Sequence, residues 1–173
     1  MSAFIRTIRK LRGEAAALPP AHPASSIALA WLGGALAIAA TAGLSEGAGA
    51  MLILGSFGAS AVLIFGFPDV PFSQPRNIVA GHVLSTLIGL IFLHAFGATW
   101  WSVALAAGTA IAVMMATRTV HPPAGSNPVI VYLAQPDWSF LLAPTLLGSL
   151  VLVAVATLYL NLSREARYPK YWW

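Results

Sequence analysis

The chain has 173 residues, of which 58% are hydrophobic and only 8% are charged, with a net charge of +4. A soluble domain carries roughly 25% charged residues. There is too little polarity here to cover a water-facing surface, and with a mean hydropathy of +0.80 the chain reads as an integral membrane protein. Its basic residues gather at the two ends and at two turns, where membrane orientation is set, so no basic groove for nucleic acid can be drawn. Cysteine is absent, which removes disulfides, thiolate nucleophiles and Cys-ligated metals.

Residues 1–24 form a basic N-terminal segment. Phe4, Ile8 and Leu11 share one helical face, with Ile5 beside it, as in a short helix on an anionic cytoplasmic surface; a frayed basic tail fits the same composition. Pro19, Pro20 and Pro23 make the approach to the membrane irregular. No short apolar core with a cleavage site follows, so the first apolar segment is expected to stay in the bilayer.

Residues 25–162 read as one transmembrane domain. Segment one covers 25–44, with Glu46 in the turn behind it. Segment two covers 48–67 and carries Gly55, Ser56, Gly58, Ala59 and Ser60 in its first part. After the polar turn 68–77 comes segment three, 78–96. Trp100 and Trp101 mark an interface, and segment four runs on to about Thr117. Pro122 to Ala134 is only 13 residues, roughly 20 Å as a helix, whereas the hydrocarbon core is about 30 Å thick. That stretch cannot span as a regular helix. Segment six covers 139–162, and Pro144 is either absorbed in its first turns or kinks it. Residues 163–173 are a basic-aromatic tail, with Trp172 and Trp173 as interfacial anchors.

If 118–134 crosses the membrane, all nine basic residues fall on one side. The charge rule therefore favours six crossings, one made with broken helix, and cytoplasmic termini at the cell's inner (plasma) membrane. The expectation is an all-α polytopic membrane protein. The two parts, 25–96 and 100–162, also compare as a 3+3 inverted repeat with short or broken helices two and five. Ser60 aligns with Ser126, and Gln74-Pro75 with Gln135-Pro136. Recurrence of small residues in a tightly packed bundle gives the same pattern.

In an inverted repeat the two helix starts, at Phe57–Ser60 and Pro122–Asn127, approach from opposite sides and aim backbone N–H groups inward. Those donors and the helix dipoles favour an anion. Gly58, Ala59 and Gly125 permit close approach, and Ser60, Ser126 and Asn127 add side-chain hydrogen bonds. Pro122 and Pro123 end the preceding structure and restart a helix. Arg118 either touches lipid headgroups or gathers anions at the mouth of a pathway. His121 either titrates near neutral pH or bonds a neighbouring backbone group. His82 reads as a packed, hydrogen-bonded residue. Gln74, Arg76 and Asn77 either tie the turn to the bundle or line an exit. The four histidines make no metal site, and no nucleophile–base arrangement supports an enzyme; no cofactor is implied.

Four motifs carry a family resemblance: GSFGASAVLIFG at 55–66, QPRN at 74–77, GH at 81–82 and TRTVHPPAGSNP at 117–128. With them the chain resembles the HPP family of integral membrane proteins, usually described as having four or five spans. Ser126-Asn127-Pro128 departs from the family's Ala-rich run after HPPAG. Some plant and cyanobacterial relatives are linked to nitrite transport. The resemblance implies nitrite as solute and places it at Gly58, Ala59, Ser60, Arg118, His121, Gly125, Ser126 and Asn127. The residues themselves reach only a small anion or small polar solute. A structural or partner-binding membrane protein without transport is the competing expectation. Membrane lipids and a further copy of the chain, through small Gly/Ala faces, are the expected partners.

Overall fold

The computed structural model describes Thr7, Ile8, Lys10, Leu11 and residues 16–173. The four isolated N-terminal residues are helical and exposed; the rest of the expected interfacial helix, including Phe4 and Ile5, lies outside the described residues. Among the described residues every regular element is helical.

Helix α1, Ala24–Ala48, follows Pro23 and ends where Gly49 turns left-handed at φ +61°, a conformation that costs glycine nothing. It runs through Glu46, which had been expected in a turn. Residues 49–55 are then largely non-helical, and α2 occupies only Ser56–Gly66, about 16 Å of helix. A short 3₁₀ turn, Pro71–Ser73, leads into α3, Pro75–Phe96, which places a proline at the first helical position where its missing N–H is harmless. Helix α4, Trp100–Ala116, is capped by Thr99, whose Oγ1 accepts from Ser102 N. Pro122–Ser126 forms a 3₁₀ turn that runs into α5, Asn127–Ala134. The prolines restart a helix here, as expected. A 3₁₀ turn, Trp138–Leu141, opens the final stretch. Ala143 then leaves helical dihedrals, at φ −131° and ψ 119°, because Pro144 excludes its predecessor from the helical region. Regular helix resumes as α6, Leu147–Ser163.

Three helical stretches are long and apolar enough to cross a membrane: Ala24–Ala48, Pro75–Phe96 and Trp138–Ser163; α2 and α4 are shorter apolar helices. Large apolar side chains such as Trp31, Leu105, Leu133 and Leu158 face outward, while Ser60, Gln74, His82 and His121 are fully buried. A greasy exterior around polar groups suits lipid as the solvent. This is an all-α membrane protein.

Three contacts fix the ends of the bundle. Arg164 Nη2 reaches Asp69 Oδ2 at 2.6 Å, and Arg76 Nη2 donates to the Thr117 carbonyl at 3.0 Å. The 68–77 turn, the end of α4 and the C-terminal tail therefore share one end. At the other, His94 from the last turn of α3 stacks on Trp138, with ring centroids 4.8 Å apart. The 118–134 stretch thus carries the chain from the charged end back toward Trp138.

Packing repeats between the two parts. Helix α1 packs on α2 and α6, and α4 packs correspondingly on α5 and α3; α3 touches α5 as α6 touches α2. Each long central helix has a glycine where the chain leading to the opposite short helix presses in. A Cβ at Gly81 would stand 2.8 Å from His121 Cβ and 3.1 Å from the Thr119 carbonyl. At Gly148 it would collide with the Leu52 carbonyl and the Phe57 ring.

Candidate functional site

Where the two short helix starts meet, the structure places a buried polar seam. Helix α2 contributes Ser60, and α3 contributes His82, Ser85 and Thr86 from one face at helical spacing. The chain before and at the start of α5 contributes His121 and Asn127, and the stretch before α6 contributes Thr145. Ser60, His82, Ser85, Thr86, His121 and Thr145 are all 0% exposed.

The partners fix the direction of hydrogen bonding. His121 Nδ1 lies 2.6 Å from the Phe72 carbonyl, which can only accept, so His121 donates from Nδ1 and accepts at Nε2 when neutral. Ser60 Oγ lies 2.8 Å from that Nε2 and donates to it. The amide nitrogen of Asn127 is held facing the His82 carbonyl, at 3.3 Å, and donates to His82 Nδ1 at 3.0 Å. His82 is therefore protonated at Nε2, from which it donates to Ser60 Oγ at 2.9 Å. One polarised chain results: Asn127 to His82 to Ser60 to His121 to the Phe72 carbonyl. Thr86 Oγ1 accepts from Asn127 Nδ2 at 2.9 Å and from Thr145 Oγ1 at 3.3 Å. Ser85 donates to the Ala124 carbonyl at 2.6 Å, fastening the 3₁₀ turn to α3. Ser56 Oγ and Asn127 Oδ1 are buried and make no hydrogen bond.

Of the residues singled out from sequence, Ser60, His82, His121 and Asn127 come together. Ser60 meets His121 rather than its aligned counterpart Ser126, which is exposed and donates to the Pro123 carbonyl at 2.8 Å. Gly58 and Ala59 face outward from α2, Gly125 is half-buried, and Pro123 is buried beside exposed Pro122. Arg118 is exposed, with a left-handed backbone at φ +57°. Gln74 is fully buried; it donates to the Pro68 and Val70 carbonyls and accepts from Lys170 N. Asn77 donates to the Val120 carbonyl at 2.9 Å and accepts from Tyr171 Oη at 3.2 Å. Gln74, Arg76 and Asn77 thus bind the turn to the tail and to the 117–120 stretch. Thr86, Thr145 and Ser85 had not been picked out. The signal for Ser85 and Thr86 was the i+3 and i+4 recurrence of hydroxyls after His82 on one helix face; Thr145, in a separate stretch, carried no such spacing.

The charged end is built differently. Asp69 bonds Arg164 and, at 3.1 Å, Lys170. Burial opposes ionisation of its carboxyl, but those two cations outweigh it and hold Asp69 below the ordinary aspartate value. Tyr168 Oη donates to the Ser73 carbonyl at 2.7 Å, and burial pushes its phenol up.

The sequence model of the HPP transmembrane region matches residues 19–169. Two transmembrane proteins of Dictyostelium discoideum are similar to the chain. One is 39% identical over 131 residues, 71% of this chain and 42% of the relative. The other is 37% identical over 130 residues, 70% of this chain and 46% of the relative. The chain thus spans less than half the length of these curated relatives. No solved structure matches.

Proposed function

The chain belongs to the HPP transmembrane family, and from that premise we propose that it is a channel or carrier passing a small anion along the seam between its two short-helix starts. Nitrite is the first solute to test. The same reading sets the protein in the cell's plasma membrane, with six crossings and cytoplasmic termini. The observation that carries it is the 2.8 Å contact between Ser60 and His121, because it joins the two starts directly beside the His82 Nε2–H, a donor that a solute could take over. Irregular backbone at this depth is tolerated only where protein or a cavity satisfies it. An anion entering from the Phe72 side would replace Ser60 as acceptor for the His82 Nε2–H, while the Ser60 hydroxyl stays on His121 Nε2. Short helices in tandem repeats are a common frame for transporter sites.

A second reading has its own support: the seam is closed, and nearly all of its polar atoms are already paired. On that reading the chain is a structural or partner-binding membrane protein, and the seam fixes its packing. Flux of nitrite, nitrate, formate and chloride into proteoliposomes separates the two. The transport reading expects nitrite flux above that of empty liposomes. Folded protein that moves none of the four leaves the structural reading.

A further inference from the structure

At the charged end, away from the seam, a groove of about 490 Å³ opens between α1, the 65–70 turn and the end of α6. Its floor is apolar, with Ile27, Phe65 and Tyr159 among the side chains that form it. Its polar side carries His22 and Ser26 as well as Asp69, Ser163 and Arg164. Ser163 Oγ and Arg164 Nη1 are both buried and make no hydrogen bond. The other guanidinium nitrogen, Nη2, is committed to Asp69 at 2.6 Å. Lys170 shares that carboxylate at 3.1 Å, so two cations divide one anion and a positive charge is left over.

An unpaired buried donor is costly, and more so on a charged group. Two such donors at the mouth of one groove ask for an acceptor, and the surplus charge asks for an anionic one. The apolar floor would be wasted on a free inorganic anion, whereas an acyl chain would cover it. Two neighbouring grooves differ. Those lined by Leu150, Leu158 and Trp172, about 540 Å³, and by Trp31, Ile38 and Val62, about 510 Å³, contain no unpaired donor of this kind. The second offers apolar contact alone, and the first adds only Thr157 and Asn161, both already hydrogen-bonded.

We propose that this groove is a binding site for an anionic phospholipid, with a headgroup phosphate on Arg164 Nη1 and Ser163 Oγ and an acyl chain along Ile27 and Phe65. Basic pockets at a membrane surface select anionic headgroups in this way. The site does not depend on the seam or on transport.

Native mass spectrometry of the full chain in detergent, with phosphatidylglycerol, phosphatidylcholine or glycerol phosphate added, tests it. One phosphatidylglycerol should be retained about tenfold more tightly than phosphatidylcholine, whose phosphate is the same but whose choline cation is repelled by Arg164 and Lys170. Arg164→Gln should abolish that preference, Asp69→Asn should keep or strengthen it, and Arg118→Gln should leave it unchanged. If Arg164→Gln does not fold, Ser163→Leu fills the polar corner without touching the ion pair and should lose the preference too. Equal retention of the two lipids, or a preference that survives both variants, overturns the site. Glycerol phosphate binding as tightly as phosphatidylglycerol overturns the lipid and leaves a small-anion site.

Discussion

The two short helices make corresponding contacts and carry unlike chemistry. Helix α2 is reached through the apolar stretch 49–55 and begins with Ser56-Phe57-Gly58-Ala59, each of which has a backbone N–H. The start of α5 contains Pro122, Pro123 and Pro128, which have none. In exchange it brings His121 and Asn127, while α2 brings only Ser60 to the shared hydrogen-bond chain. Both are seated against a glycine of the opposite long helix, Gly148 for the first and Gly81 for the second. Packing is thus repeated where the two parts need the same shape. Polar groups are divided unequally, with one hydroxyl from the first side and an imidazole and an amide from the second. A solute in the seam would meet an unsymmetrical site inside a nearly symmetrical frame.

The largest expected effect falls on the frame. Gly148→Val should destabilise by about 3 kcal/mol and Gly81→Ala by about 2 kcal/mol, as overpacking against backbone and rings does, read from thermal unfolding in detergent. Gly34→Ala should cost far less, because its Cβ would meet Ala61 Cβ at an ordinary 3.9 Å. Similar losses at both seats confirm a repeated frame; tolerance at one breaks the symmetry. The next effect falls on the seam. Ser60→Ala orphans the His82 Nε2–H and the His121 Nε2 together and should cost about 1–3 kcal/mol. Combined with His121→Phe it should cost less than the sum, because the two share one chain. Strict additivity would mean that the chain does not act as a unit.

The smallest effect falls outside both. Asp69 has a lowered folded-state pKa, so the stabilisation it gives the tail is present above its unfolded value of 3.8 and is lost as pH falls through the lower folded value. Its side chain is 48% exposed, and solvent screening keeps the contribution under about 1 kcal/mol. Asp69→Asn should erase this acid dependence and leave neutral-pH stability nearly unchanged. An unaltered acid limb in the variant would assign the loss to another group.

Element starts could be read from sequence wherever a residue acts on its own backbone. Pro122 marks a helix restart and Pro144 breaks the last span as a proline must, whereas segment three was read from 78 although Pro75 opens the helix, and the Thr99 cap went unread. The shortness of α5 followed from counting residues against bilayer thickness. Side-chain direction after irregular chain could not be counted in the same way. Ser126 and Asn127 are adjacent, yet one faces out and the other enters the seam, because the phase of a helix is set by the turn that precedes it. Matching Ser60 with Ser126 by their place in the repeat therefore missed His121, the residue that Ser60 meets. Helix α2 was read too long for a similar reason: 49–55 is apolar enough to continue a span, and its non-helical path depends on Gly148, 93 residues beyond Gly55. His82 was recognised as a packed, hydrogen-bonded residue, but its place at the centre of the chain depends on groups from three other segments.

The clasp between the tail and the 68–77 turn has a consequence for biosynthesis. Ser73 and Tyr168 are 95 positions apart, so the carbonyl leaves the ribosome long before its phenol partner exists. Helices α3, α4, α5 and α6 are all synthesised while Gln74 still waits for the backbone of Lys170. Until the 117–121 stretch is made, the turn that supplies the Phe72 carbonyl is held by local bonds, among them those of Ser73 Oγ to the Leu63 and Phe67 carbonyls, and afterwards by Arg76, Asn77 and His121 as well. The contacts of the first part are thereby completed only by the arrival of the tail.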